Sequence, residues 1–404
     1  MRGFQRCFVF LAVGAIALGL AALAGTPASA QNIRIGVLTP LSVPGDANAG
    51  ALIVRGARLG EEYVNTVMGG IRGGKKIELR IADDTGVPEK GVSGYRKLVT
   101  QDRVAVIIGG YHSSVMLAVQ ELANQMGVAI FCTQCSNQKI TLKKYATTFR
   151  THAIDPNRVT LWLGFIKEMG YKRIAIVAEN TDYGIGLIEG TVEQNKEKGT
   201  GLVLKNIIFD RASVDMTAQL LDIKAWKPDL VVNVGNPPAA YVMIKQAFDV
   251  GLFPSVPMLV SYDFPIRPEY WNTLGAKGNW MLYISYYHPT MKKTRLGDWF
   301  AKAYRGKYNE PPIYTAFNSF GQIVFISEAI DKADSAKPAD VIAALNTGTF
   351  LSWNGSVSFE RGKKHWNQWS PPMMVLQHTK PHQNWETAKI IYPPDMKTGN
   401  MQSP

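Results

Sequence analysis

From residue 33 onward the sequence alternates short runs rich in β-branched residues with longer runs of helical period, and it does so twice. Segments 33–38, 77–82, 105–108 and 128–131 read as strands, with helical candidates between them. In one of those candidates Val115, Ala118, Val119, Leu122 and Met126 fall at i, i+3, i+4, i+7 and i+11, a single face of a helix. Strand–helix–strand order of this kind predicts a parallel sheet covered by helices on both faces. After Asp155-Pro156 the pattern restarts. Val159, Trp162, Ile166 and Met169 form a helical stripe, and strands at 173–178, 202–209, 230–234 and 257–260 alternate with helices again. Each unit runs to about 120 residues, a typical domain size.

Segments 147–156 and 280–286 read as strands that cross between the units. The remaining text is helical over 293–308, 314–333 and 338–346 and closes with a hairpin at Asn354-Gly355, a favoured type I′ turn pair. A chain that builds one lobe, builds a second and crosses back lays several strands side by side between them. That makes a hinge, and hinged lobes closing on a small molecule are a known functional arrangement. The expected fold class is therefore α/β, two doubly wound parallel-sheet lobes joined by crossing hinge strands. The expected division is a leader at 1–30, an N-terminal lobe from 31–150 and 283–350, and a C-terminal lobe from 151–282 and 351–404.

The leader is unlike the rest. Arg2 and Arg6 precede an almost wholly apolar run over 8–24, and Ala28-Ser29-Ala30 follows Pro27. Basic start, apolar core and small residues at −3 and −1 predict a secretory signal peptide cut after Ala30, and hence a periplasmic location. An uncleaved anchor is the competing reading, since the apolar run nearly reaches a bilayer-spanning length. No Cys stands at the cleavage point, so no lipid anchor is expected, and no later segment is apolar enough to span a membrane. Losing Arg2 and Arg6 lowers the net charge from +12 to +10. That charge is dispersed in pairs such as Lys75-Lys76, Lys143-Lys144 and Lys363-Lys364, which suits a solvated face and argues against nucleic acid as a partner. Cys7 leaves with the leader. Cys132 and Cys135 remain as C-T-Q-C, either a local disulfide or quiet thiols in an oxidising compartment, with a thiol-redox enzyme as the rival reading.

Several motifs are rejected on context. Gly69 through Lys75 resembles a phosphate-binding loop, but Lys76 stands where Ser or Thr would hold magnesium, and the segment joins helix to strand. No G-x-S-x-G occurs, and no G-x-G-x-x-G follows a strand. The six His include no H-E-x-x-H, and Pro381 interrupts the His378/His382 spacing, so no metal and no cofactor are expected. Asp83-Asp84 ends a strand and opens a turn, where Asp is a natural cap. With no activated nucleophile or tuned acid–base pair in view, a binding protein is expected and not an enzyme.

The positive signals are polar loops just past strands, where open α/β sheets place ligands. Gly109-Gly110-Tyr111-His112-Ser113-Ser114 leads into a helix, so glycine backbone, helix N–H groups and two hydroxyls together suit a carboxylate. Ser113 or Ser114 capping its own helix is the plainer alternative. Thr133-Gln134-Cys135-Ser136-Asn137 follows the next strand. The second unit adds Asn180-Thr181-Asp182-Tyr183-Gly184, Gly235-Asn236-Pro237-Pro238 and Ser261-Tyr262-Asp263-Phe264. Tyr and Asn offer uncharged hydrogen bonds there, and Asp263 can hold a cation.

These loops, with the opening Ile33-Arg34-Ile35-Gly36-Val37-Leu38-Thr39-Pro40-Leu41-Ser42, the turn from Gly69 to Leu79, Asp83-Asp84 and the run from Ile107, resemble the type I periplasmic solute-binding proteins of branched-chain-amino-acid-type ABC importers. The resemblance covers nearly all of the chain beyond the leader. It implies that Ser113, with Ser114 adjacent, binds a ligand carboxylate, that Gln134 and Ser136 meet the ligand ammonium through a backbone carbonyl and a hydroxyl, that Tyr183 closes from the second lobe, and that Asp263 pairs with the ammonium. The chain departs from the pattern at Asn236, where the family has an aromatic residue, at the bulkier Tyr111-His112, and at Asp263, which is shorter than the usual Glu. The implied ligand is an amino acid, with urea, a short amide or an aromatic acid as alternatives. The implied partners are the permease subunits of an ABC importer, and a ligand-sensing subunit of a membrane receptor is a rival use of the same fold.

Overall fold

The computed structural model describes residues 32–71, 73–363 and 365–404. The leader and the cut expected after Ala30 lie outside the described residues. Strands and helices alternate from the start: β1 Ile33–Thr39, α1 Ala47–Glu62, β2 Ile77–Asp83, α2 Pro88–Thr100, β3 Val106–Gly110, α3 Ser113–Met126, β4 Ala129–Cys132, α4 Lys139–Leu142 and β5 Thr148–Arg150. The second series is α5 Asp155–Glu168, β6 Arg173–Glu179, α6 Asp182–Glu197, β7 Val203–Phe209, α7 Thr217–Trp226, β8 Leu230–Val234, α8 Ala239–Asp249, β9 Met258–Val260, α9 Pro268–Leu274 and β10 Leu282–Ser285. The remainder is α10 Arg295–Tyr308, α11 Tyr314–Lys332, α12 Pro338–Thr347, β11 Phe350–Ser352, β12 Gly355–Val357, β13 Glu360–Arg361, β14 Trp366–Gln368, β15 Met374–Gln377 and β16 Lys389–Tyr392.

The two series build two sheets of the same plan. The first runs β13-β14-β5-β4-β3-β1-β2 and the second β16-β15-β10-β9-β8-β6-β7. Pairing is parallel through the middle of each, and antiparallel strands close the edges at β13, β15 and β16. Central strands such as β3, β4 and β8 are buried throughout, which is why they read as unbroken apolar runs. In both sheets the winding reverses beside the first strand, between β1 and β3 and between β6 and β8. These reversals are where loops splay apart and leave a crevice at the carboxyl ends.

Two expectations need correction. Segments 147–156 and 280–286 hold ordinary sheet members: β5 pairs with β4, and β10 with β9 and β15. The chain crosses between sheets just after each of them, and again between β14 and β15. The tail 351–404, expected wholly in the second lobe, divides: β13 and β14 extend the first sheet, and only β15 and β16 join the second. The reason lies in Arg150, fully buried at the end of β5. Its guanidinium needs acceptors, and Gln368 supplies one at 2.7 Å, beside Asn137 O at 2.8 Å and Thr141 Oγ1 at 2.6 Å. The turn Asn354-Gly355 does join an antiparallel pair, β11 with β12.

Helix α11 is buried around nearly its whole circumference. It packs on α1 through glycines: a Cβ at Gly56 would fall 2.2 Å from both Ala316 O and Ser319 Oγ. Its polar residues face the loop after β4. Asn318 donates to Thr133 O at 2.6 Å, Thr133 donates to Gln322 at 2.7 Å, and Gln134 donates to Thr315 at 2.6 Å. One helix thus fixes the loop that presents Gln134, Cys135 and Ser136.

Candidate functional site

Both reversals open onto one pocket. It is lined from the first sheet by Tyr111, His112, Ser113, Ser114, Gln134, Cys135 and Ser136, and from the second by Arg158, Glu179, Thr181, Tyr183, Arg211, Asn236 and Tyr262. Strand β3 delivers Tyr111 through Ser114 because Gly109, at φ 112°, lets the strand end lie against Leu38, where a Cβ would come 2.5 Å from Leu38 O. Ser113 opens α3. Its Oγ accepts from the Ser136 and Asn137 amides, both at 3.3 Å, which ties the two loops together and leaves its proton to donate. His112 is buried and accepts from the Asp46 amide at 3.3 Å through Nε2. Burial first, then the charge on Arg211, lowers its pKa to about 3, so its imidazole is neutral.

The second sheet contributes Glu179 at the end of β6. Its carboxylate accepts from the Asn236 amide and side chain, both at 2.9 Å, and from Thr181 Oγ1 at 2.8 Å. Burial raises its pKa, opposed by these donors and by Arg211. Tyr183 shares a 2.5 Å hydrogen bond with Ser261. The pocket is bridged by direct contacts between the sheets' loops. Tyr111 OH donates to Asp46 at 2.7 Å and meets Asn236 at 3.2 Å and Tyr262 at 3.0 Å. Arg267, just before α9, pairs with Asp46 at 2.8 Å, with both side chains 1% exposed. Arg211 donates to Gly86 O at 3.1 Å, Asn137 to Asp182 O at 2.6 Å, and the Asp182 amide to Ser114 at 3.2 Å.

Arg158, in the first turn of α5, is 2% exposed and meets His152 at 3.0 Å. Its guanidinium lies 5.6 Å from the centre of the Tyr183 ring and 5.9 Å from that of Tyr286. Burial works against its charge, but Tyr286, Tyr183 and Asp155 outweigh burial and hold its pKa above the ordinary value. Among the described residues its Nε has no hydrogen-bond partner.

Of the residues singled out in the sequence, Tyr111, His112, Ser113, Ser114, Gln134, Ser136, Tyr183 and Asn236 line this pocket together. Asp263 does not. Its carboxylate is buried, accepts no hydrogen bond from another of the described residues, and lies in the field of Arg267 and Arg158. Burial pushes its pKa up to about 6 against the pull of those two cations. Its neighbour Tyr262 takes the place in the wall. Cys132 and Cys135 are joined as a disulfide with Cα atoms 5.5 Å apart, and both are buried. His378 is a core residue whose Nε2 lies 3.0 Å from Pro265 O. Glu179 and Arg211 carry the same signal as the other loops, at or just beyond a strand end, and were not singled out in the sequence; nor was Asp46, the N-cap of α1. Arg158 carried no such signal, because it lies inside a helix.

Two doubly wound α/β lobes, bridged by repeated crossings and closed over a polar pocket at facing winding reversals, define a two-lobed ligand receptor. A family model described as periplasmic binding protein matches residues 32–380, and the chain belongs to that family, with the type I proteins of branched-chain-amino-acid-type ABC importers. It is 27% identical over 334 residues to a Leu/Ile/Val-binding protein homolog of Brucella abortus, covering 81% of this chain and 86% of that one. Its fold is similar to the branched-chain amino acid transporter substrate binding protein LivJ of Streptococcus pneumoniae, solved in complex with isoleucine (TM-score 0.78, 22% identity, 90% of this chain and 100% of that one). It is also similar to an R. palustris solute binding protein solved in complex with benzoate (TM-score 0.74, 21% identity, 87% and 95% covered).

Proposed function

We propose that this chain is an exported receptor that captures a small carboxylate-bearing solute between its lobes and delivers it to the permease subunits of an ABC importer. One observation carries the reading: the Ser113 hydroxyl at the start of α3, the Ser136 hydroxyl in the loop after β4 and the buried Arg158 guanidinium of α5 line one pocket. Such a donor set suits an anionic head group. Membership of the family supports transport as the use, and the amino-acid-binding relatives make an amino acid the first class to try. The proposed lobes are 33–150, 295–350 and 360–368 on one side and 155–285 and 374–392 on the other. Capture proceeds by docking on one lobe followed by closure, driven by the ligand's extra affinity for the closed form. Among the described residues no helix is long and apolar enough to cross a membrane. The test is a thermal-shift panel of carboxylates and their amides on the purified protein. A saturating carboxylate at a hundred times its Kd stabilises by about 2.7 kcal/mol. Shifts by amides or urea alone would sink the carboxylate reading.

A further inference from the structure

Resting on the pocket as a carboxylate site, the geometry points to a solute that carries a carboxylate but no ammonium group, because the Arg158 guanidinium already stands as the resident cation between Tyr183 and Tyr286. An amino acid needs both an anion site and a cation site. The acid assigned to the ammonium, Asp263, is absent from the pocket wall and lies within the field of Arg158 and Arg267. Asp155, the other buried acid near Ser136, lies within the field of Arg158 and Arg150. Asp46 is taken by Arg267, Tyr111 and the Ala49 amide. Glu179 is the one acid of the wall, and it already accepts three hydrogen bonds. The wall also presents two guanidinium groups, Arg158 and Arg211.

Among the lining residues two guanidinium groups stand against one carboxylate, an excess of positive charge that suits an anion better than a zwitterion. An α-ammonium would be buried beside Arg158, a like charge, and the two carboxylates in the field of that guanidinium, Asp155 and Asp263, already balance it, so the arrangement is costly. The rings of Tyr111, Tyr183 and Tyr262 supply flat apolar surface for the rest of the molecule.

Matched pairs test this: 4-methylpentanoate against leucine, and 3-phenylpropanoate against phenylalanine, by calorimetry on the intact mature chain. The acid is expected to bind at least about 100-fold more tightly than its 2-amino partner. Equal or tighter binding of the amino acid overturns the inference while leaving the carboxylate reading standing. Tighter binding of 4-methylpentanamide than of the acid, or no binding by any of the carboxylates, overturns both. Arg158→Met should cut the preference for the acid to below about tenfold, since it removes the resident cation, and Arg158→Lys should keep it. An unchanged preference in Arg158→Met would refute the role given to Arg158. If that variant does not fold, the wild-type and Arg158→Lys ratios decide. Glu179→Gln separates the last alternative: a selective loss of amino-acid binding would show that Glu179 receives an ammonium and would overturn the inference.

Discussion

Arg267→Met removes one half of a buried ion pair that spans the two lobes. Arg267 precedes α9 in the second lobe, and Asp46 caps α1 in the first, accepting from the Ala49 amide at 3.1 Å. The pair is 2.8 Å apart with both side chains 1% exposed, and Arg267 also donates to Tyr111 at 3.2 Å. Stranding one partner of such a pair costs about 3–5 kcal/mol. Asp46 keeps Tyr111 and the Ala49 amide, so the lower end, about 3 kcal/mol, applies. In the proposed open form both charges reach water and the pair contributes little. The cost therefore falls on the closed complex. At about 1.4 kcal/mol per decade, Kd should weaken about 100-fold. Calorimetry with the best ligand measures that, and urea unfolding of the ligand-free protein supplies the control. The double variant Asp46→Asn/Arg267→Met should recover part of the loss, because no bare charge is left buried. A Kd within threefold of wild type, together with a fall of about 3 kcal/mol in unfolding free energy, would refute the reasoning and make the pair a plain structural bond.

Three further outcomes are expected. Asp84 is fully buried, and its pKa is raised to about 7 chiefly by burial, so the folded protein holds a proton there that the unfolded chain releases near pH 4. Its contribution to stability is present below pH 4, falls as pH rises to about 7 and is flat above; Asp84→Asn should flatten that slope, a change of about 2–4 kcal/mol in urea unfolding across the window. Gly56→Ala drives a methyl into the backbone of α11, and it should lower stability by about 1–3 kcal/mol or more in the same assay. Cys132 and Cys135, buried as a pair, should give no turnover in a disulfide-reduction assay, and turnover abolished by Cys132→Ser would revive the redox reading.

Much of the site was legible because its loops obey a local rule. Tyr111 to Ser114, Gln134, Ser136, Tyr183 and Asn236 all follow strands whose β-branched runs are plain in one dimension, and polar residues past such strands gather at the carboxyl edge. Asp263 shows where that rule stops. It stands in the right loop, but a strand end does not say which of two adjacent side chains turns into the crevice, and Tyr262 does. Asp263 stays buried beside it, in the field of Arg267 and Arg158, and accepts no hydrogen bond from another of the described residues.

The sequence alone determined the alternation of strands and helices, its repetition, and hence two wound lobes with ligand loops at their strand ends, because these follow from local periodicity and turn chemistry. Tertiary structure decided the rest. The tail's return to the first sheet hangs on Gln368 satisfying Arg150, more than two hundred residues away in sequence. The placing of Arg158 between Tyr183 and Tyr286 depends on three separate elements meeting. Burial, and with it the choice of which charge faces which, is a property of packed neighbours. No spacing along the chain records it.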